Sequence, residues 1–381
     1  MLYFDNAAST PPSKNAIKAM HDALDTFYAN PSSLHQPGIE ARKRLNQAKR
    51  HMAEMMHVDR HSIIFTSSGT EAINLAIKGV FYKNKDAAIV TTTAEHHAVS
   101  RTTEFLESIG AKVFYIDVDA YGYVDLQALE KILKNHTVSL VSIIYANNEI
   151  GALQDVNQIR ELTAKYNALL HYDMVQVPLH EAINFKHVDC DLASFSAHKF
   201  YGPRGAGFLY KKTHIELTPH THGGQHEFKL RAGTENLAAI IGMEIALEDT
   251  YKTMHTRNQT IQELASYFIE KLKQTNLDFR LNGPPMDHHR VHSILNIGFK
   301  NQDAQILSFA LNQKGIYVTL GSACDSESIE PSHVLKAIAV PSDYIHGSLR
   351  FSLSETMQKK DIDNTVDVLK ELIDNKIALI E

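Results

Sequence analysis

Apolar positions along the first half of this chain follow two rhythms that alternate. Short runs with little polar interruption, at Ile63-Ile64-Phe65, Ala88 to Thr92, Lys112 to Ile116, Val138 to Ala146, Leu169 to Asp173, Asp191 to Phe195 and Ala206 to Tyr210, read as buried strands. Between most of them the apolar spacing lengthens to that of a helix. Strands alternating with helices predict a mainly parallel sheet covered on both faces. Ahead of the first strand, Ile17, Met20, Leu24, Phe27 and Tyr28 recur at helical spacing behind a Ser13 cap, and a second helix carries Ala41, Leu45, Ala48 and Met52 on its inner face.

After the last of these strands the pattern changes. Leu237 to Gln274 reads as one long helix able to link two domains, with Ile240, Ile241, Leu247, Tyr251, Ile261, Leu264 and Phe268 supplying its apolar faces. His292 to Phe299, a helix near Ala304 to Asn312, Gly347 to Leu353 and a closing helix from about Met357 predict a smaller α+β unit. The expected class is α/β, with a large domain of mainly parallel sheet over residues 14–248 and a small α+β domain from residues 1–13 and 249–381.

Several predicted strands end in polar residues that a buried sheet does not need. Glu95-His96-His97 follows one, Asn147-Asn148-Glu149 another, Asp173 closes a third with Gln176 just beyond, and Ser196-Ala197-His198-Lys199 follows a fourth. In an open α/β sheet this edge is where ligands bind. A lysine placed there behind a serine and a histidine looks like the lysine that carries the aldehyde of pyridoxal phosphate, although a surface lysine after a strand is an equal alternative on those residues alone. Thr66-Ser67-Ser68-Gly69-Thr70, running into a helix that begins near Glu71, is a candidate phosphate cradle or a plain capping turn. A buried Asp173 would pair with a pyridinium nitrogen.

Composition narrows the classes. With 44% hydrophobic and 22% charged residues the chain is globular, and no apolar run approaches the ~20 residues of a membrane span. A net charge of −6 without a basic cluster gives no reason to expect direct nucleic-acid binding. The opening Met1-Leu2-Tyr3-Phe4 lacks the basic flank of a signal peptide, and a cysteine content of only Cys190 and Cys324 suits a reducing compartment, so a cytoplasmic protein is expected. His220, His222 and His226 lie close together, but without a nearby cysteine or an i, i+4 pair no metal is expected.

The run Gly321-Ser322-Ala323-Cys324-Asp325-Ser326-Glu327-Ser328 resembles the cysteine-bearing loop of the group I cysteine desulfurases, the NifS/IscS-type enzymes of pyridoxal-phosphate fold type I. The resemblance extends from Tyr3-Phe4-Asp5-Asn6-Ala7-Ala8 through Ser196-Ala197-His198-Lys199 to Ser348-Leu349-Arg350-Phe351-Ser352-Leu353. It implies that Lys199 binds the cofactor covalently, that Gly69, Thr70, Ser196 and His198 hold its phosphate, and that Thr234 reaches in from the second subunit of a homodimer. It also implies that Asp173 faces the ring nitrogen, Gln176 the ring hydroxyl and His96 the ring face, while Asn148 and Arg350 orient the substrate L-cysteine. Cys324 would be the nucleophile that takes the sulfur, and Cys190 a small buried apolar residue.

Two departures from the family pattern carry expectations of their own. Asp325 and Glu327 stand where relatives often have small or hydroxyl residues, and acids there disfavour a thiolate at Cys324. The chain ends 31 residues after Arg350 (381 − 350), which points toward a dedicated sulfur acceptor such as a tRNA-thiolating enzyme in place of a general iron–sulfur scaffold. Other readings of the same fold are an aminotransferase, a selenocysteine lyase or a non-catalytic scaffold; the Cys324 loop argues against the first two, and the intact set of Lys199, Asp173, His96 and Cys324 against the third.

Overall fold

The computed structural model describes residues 1–321 and 330–379. Its centre is a seven-stranded sheet in the spatial order Ile63–Thr66, Gly207–Lys211, Leu192–Ser196, Leu169–Asp173, Val138–Ile144, Ala88–Thr92 and Val113–Ile116. Neighbours are parallel except at Gly207–Lys211, which runs antiparallel to the strand on each side. The helices lie against both faces and divide the apolar side chains into two clusters, one built on Ala41, Leu45, Ala48 and Met52, the other on the helix Gly69–Phe81. The α/β class read from the alternating rhythm is the class observed.

The long helix runs from Leu237 to Lys273. Leu237 to Leu247 belong to the core of the large sheet, whereas Leu264 to Leu272 belong to a second core beneath the antiparallel strands Phe279–Asn282, Ile294–Phe299 and Ser348–Ser352. One helix therefore ties both cores together. In the second core Phe4 and Phe351 meet edge to face at 5.8 Å and 82°, and Phe268 of the long helix meets Phe351 at 5.1 Å and 78°. Removing a ring from such a cluster costs ~3–5 kcal/mol. Strand alternation then sends Arg350, next to Phe351, to the opposite side from the rings.

The first helix, Lys14–Thr26, is capped by Ser13 as its sequence suggests, the hydroxyl accepting from Ala16 N–H. Its fully buried face is Ala16 and Ala23, however; Met20 and Phe27 of the apolar stripe are half-buried, while Ile17 at 53%, Leu24 at 64% and, just past the helix end, Tyr28 at 78% are exposed.

Candidate active site

The strand ends that carry unexplained polar residues converge on one cavity of about 220 Å³. Lys199, Asp173, Gln176, Ser196, His198, His96, Asn148, Arg350, Gly69 and Thr70 line it, together with Ser68, Val175, Ala7 and Ala8. Thr234 is exposed and outside this lining in its own chain. Cys324, Asp325 and Glu327 lie outside the described residues.

Each side of the cavity follows from local structure. Ser68 caps the helix Gly69–Phe81 by accepting from Glu71 N–H at 3.1 Å, so the helix opens toward the cavity with first-turn N–H groups that have no acceptor inside the helix. Position 69 has room for glycine alone: a Cβ there would lie 2.7 Å from Val175 Cγ2 and 3.2 Å from Ser196 Cβ. Asp173 is fully buried, and burial pushes its carboxyl up to about 6 even though Val175 N–H donates to Oδ1 at 3.0 Å and Lys199 lies near. Behind it His171 bridges three strands through the hydroxyls of Ser142 and Ser194, both at 2.8 Å, and burial holds its imidazole neutral. His198 is held down to about 4 by burial, with Lys199 and Arg204 adding to the effect.

The opposite wall comes from the chain's N-terminal segment and from the small core. Lys199 Nζ donates to the carbonyls of Ala7 and Ala8 at 2.6 and 2.9 Å, and Gln176 Nε2 donates to Ala7 at 2.8 Å. The Arg350 guanidinium is 1% exposed; it donates to the Asn148 carbonyl at 2.8 Å and to Asp5 Oδ1 at 2.9 Å. The carbonyls of Ala7 and Ala8 and the Asp5 carboxylate are site groups that the sequence marks only as part of the stretch Tyr3 to Ala8 shared with the family. Near the other wall, Glu95 is buried with Oε1 accepting from Thr92 and from Ile144 N–H, and burial, reinforced by Asp173, pushes its carboxyl up to about 8.

The Aminotransferase class-V family model matches residues 2–365. Cysteine desulfurase IscS of Dictyoglomus turgidum is 40% identical over 98% of this chain and 94% of its own length. The chain belongs to this family. Among solved structures, a NifS-like protein superposes with a TM-score of 0.90 at 32% identity, covering 98% of this chain and 99% of its own. A structure titled SspA in complex with cysteine superposes with a TM-score of 0.81 at 30% identity over 93% of this chain and 99% of its own.

Enzymes of this family depend on pyridoxal phosphate, and the cavity fits it. A phosphate needs hydrogen-bond donors and close backbone approach, which the helix start at Gly69 and Thr70 supplies beside Ser196. A cationic ring nitrogen needs a buried carboxylate, and Asp173 is one whose proton affinity burial has raised, so that an adjacent cation would draw it back to the charged form. An aldehyde needs an amine, and Lys199 reaches the cavity between the two. Cys190 is 0% exposed and burial pushes its thiol far up, so it offers no nucleophile.

Proposed function

We propose that this chain is a cysteine desulfurase that converts L-cysteine and the Cys324 thiol into L-alanine and a Cys324 persulfide. The observation that carries this reading is a single cavity holding a lysine, a buried aspartate and a buried arginine, in a chain whose family is that of IscS and whose sequence places Cys324 after Gly321-Ser322-Ala323. Gly69, Thr70, Ser196 and His198 would hold the cofactor's phosphate, Asp173 its ring nitrogen, Gln176 its hydroxyl and His96 its ring. When bound, pyridoxal phosphate supplies an electron sink next to the carbon that loses its proton. Arg350 grips the substrate carboxylate and Asn148 orients it, a task suited to a planar guanidinium. The Lys199 amine takes the α-proton. The Cys324 thiolate attacks the substrate sulfur, the carbon–sulfur bond breaks with its electron pair left on carbon, and protonation there, with a proton given back to the α-carbon by Lys199, completes alanine. The carbon that keeps the bonding pair is reduced by the two electrons that the new sulfur–sulfur bond gives up, so no outside oxidant enters.

The persulfide then passes its sulfur to an acceptor protein, a tRNA-thiolating enzyme or an iron–sulfur scaffold, in the cytoplasm. No helix among the described residues is long and apolar enough to cross a membrane. A homodimer completes the site, with Thr234 of each chain serving the other; the outward apolar stripe of Ile17 and Leu24 and the exposed position of Thr234 support it. The division into residues 14–248 and 1–13 with 249–381 belongs to the same reading, supported by the long helix serving one core up to Leu247 and the other from Leu264.

The test compares the two cysteines. Cys324→Ser is expected to keep the cofactor's visible absorbance and its response to L-cysteine but release no sulfide, while Cys190→Ser turns over normally. The reverse pattern would overturn the assignment.

A further inference from the structure

Two loops that line the cavity also hold the chain beyond Cys324, each using the residue beside the one that faces the cavity. His96 lines the cavity, and the carbonyl of Glu95 accepts from His333 Nε2 at 2.8 Å. Asn148 lines the cavity, and the carboxyl of Glu149 accepts from the Ser332 hydroxyl at 2.6 Å. Asn147 stitches the loops together: its Nδ2 donates to the Ala94 carbonyl at 3.0 Å, and its Oδ1 accepts from Glu149 and Ile150 N–H at 2.9 and 3.1 Å. On the upstream side, Arg350 N–H donates to the Thr319 carbonyl at 2.7 Å.

Glu149 is where these ties meet. It is 1% exposed, and one of its oxygens faces both flanks of the cysteine segment. A Cβ at Gly321, three residues before Cys324 (324 − 321), would lie 2.9 Å from Glu149 Oε2. Ser332, eight residues after it (332 − 324), donates to that same oxygen and accepts from Val334 N–H at 3.1 Å, capping the helix His333–Ala337. The absence of a side chain at Gly321 and the hydroxyl at 332 are thus both matched to one carboxyl oxygen, carried on the turn whose neighbouring carbonyl receives Arg350.

We propose that Glu149 is a positioning residue for sulfur transfer, holding Gly321 and Ser332, which flank Cys324 in the sequence, close to Asn148 and Arg350. The inference rests on the desulfurase reading, in which Cys324 is the nucleophile and Arg350 holds the substrate. A purely structural carboxyl would, when altered, loosen the whole site. A positioning carboxyl affects the step that Cys324 performs and spares the steps that precede it.

The experiment uses the full chain loaded with pyridoxal phosphate and carrying Glu149→Gln, Ser332→Ala or both. Four quantities are read: cofactor absorbance, the L-cysteine concentration that half-saturates the spectral change, the rate of alanine formation, and Cys324 persulfide per chain. The first two are expected to stay within about twofold of wild type while alanine and persulfide formation fall ~10–100-fold in Glu149→Gln, the scale of an ångström misplacement. Ser332→Ala is expected to lose in the same direction, and the double variant to be no worse than Glu149→Gln alone, because both act through one contact. Wild-type alanine formation in Glu149→Gln, a loss that tracks released cofactor or weakened cysteine binding, or additive losses in the double variant would overturn the proposal. A wild-type chain that makes no alanine would overturn the desulfurase reading and this inference with it, whereas a normal wild type beside an unaffected Glu149→Gln overturns the inference alone.

Discussion

The floor of the cavity and its far wall are built in different ways. The floor consists of neighbouring strand ends in one sheet, with Asp173 paired to Ser194 in the ladder and Lys199 one short turn beyond the strand Leu192–Ser196. Its geometry is set by the same backbone hydrogen bonds that hold the sheet. The wall is assembled from distant segments: Arg350 meets Asp5 across 345 residues and Asn148 across 202, and Lys199 meets Ala7 across 192. The Arg350 contacts exist only while the sheet core and the small core stay packed together. A floor supported by the sheet suits a permanently held cofactor, and a wall shared between two cores suits a substrate that must enter and leave.

The largest effect is expected at the floor. Lys199→Ala should abolish alanine formation and the visible absorbance of bound cofactor together, checked by a spectrum and an amino-acid assay; an unchanged spectrum would break the contrast at its root. At the wall, Arg350→Lys loses the fork that reaches Asn148 and Asp5 at once, and the half-saturating L-cysteine concentration is expected to rise ~10–100-fold with the cofactor still bound. If cofactor is lost instead, floor and wall are not separable. The smallest effect lies behind the site. Glu95 goes from 4.5 when free to about 8 when buried, so between those values the folded chain holds a proton that the unfolded chain has released. Stability contributed by that proton is present at low pH and falls as pH rises through this window. Glu95→Gln should therefore gain on wild type in thermal unfolding midpoint on going from about pH 5 to about pH 8, and a constant difference between them would show that Glu95 does not titrate there.

The floor was legible in the sequence and the wall largely was not, for a physical reason. Buried strands announce themselves as apolar runs, and Asp173, Ser196, His198 and Lys199 stand out because polar residues at such ends have little structural cause. The turn at Ser68-Gly69-Thr70 was also legible as a helix start, although the helix begins at Gly69 and not near Glu71, since Ser68 supplies the cap. The strand read as running to Ala146 stops at Ile144, because Tyr145 and Ala146 turn back to bond with Gln154 and Leu153. At the wall Asn148 stands out as a polar residue after a strand and Arg350 only through the family motif, while Ala7 and Ala8 act through their carbonyls, and a carbonyl leaves no mark in a sequence. Glu149 stands out in the sequence only as one of a polar trio, because its partners are remote in sequence. The apolar spacing of the first helix gave its existence and its cap but not which face is buried, as Ile17 and Leu24 point outward and Ala16 and Ala23 inward.

The central claim is that this cavity moves sulfur from L-cysteine to Cys324. Its most direct test is mass spectrometry of the Cys324 peptide after the cofactor-loaded chain meets L-cysteine without any added thiol, with alanine counted in the same sample. One extra sulfur atom on Cys324 for each alanine released is the predicted result; alanine released while that peptide stays unmodified, or no alanine at all, would contradict it.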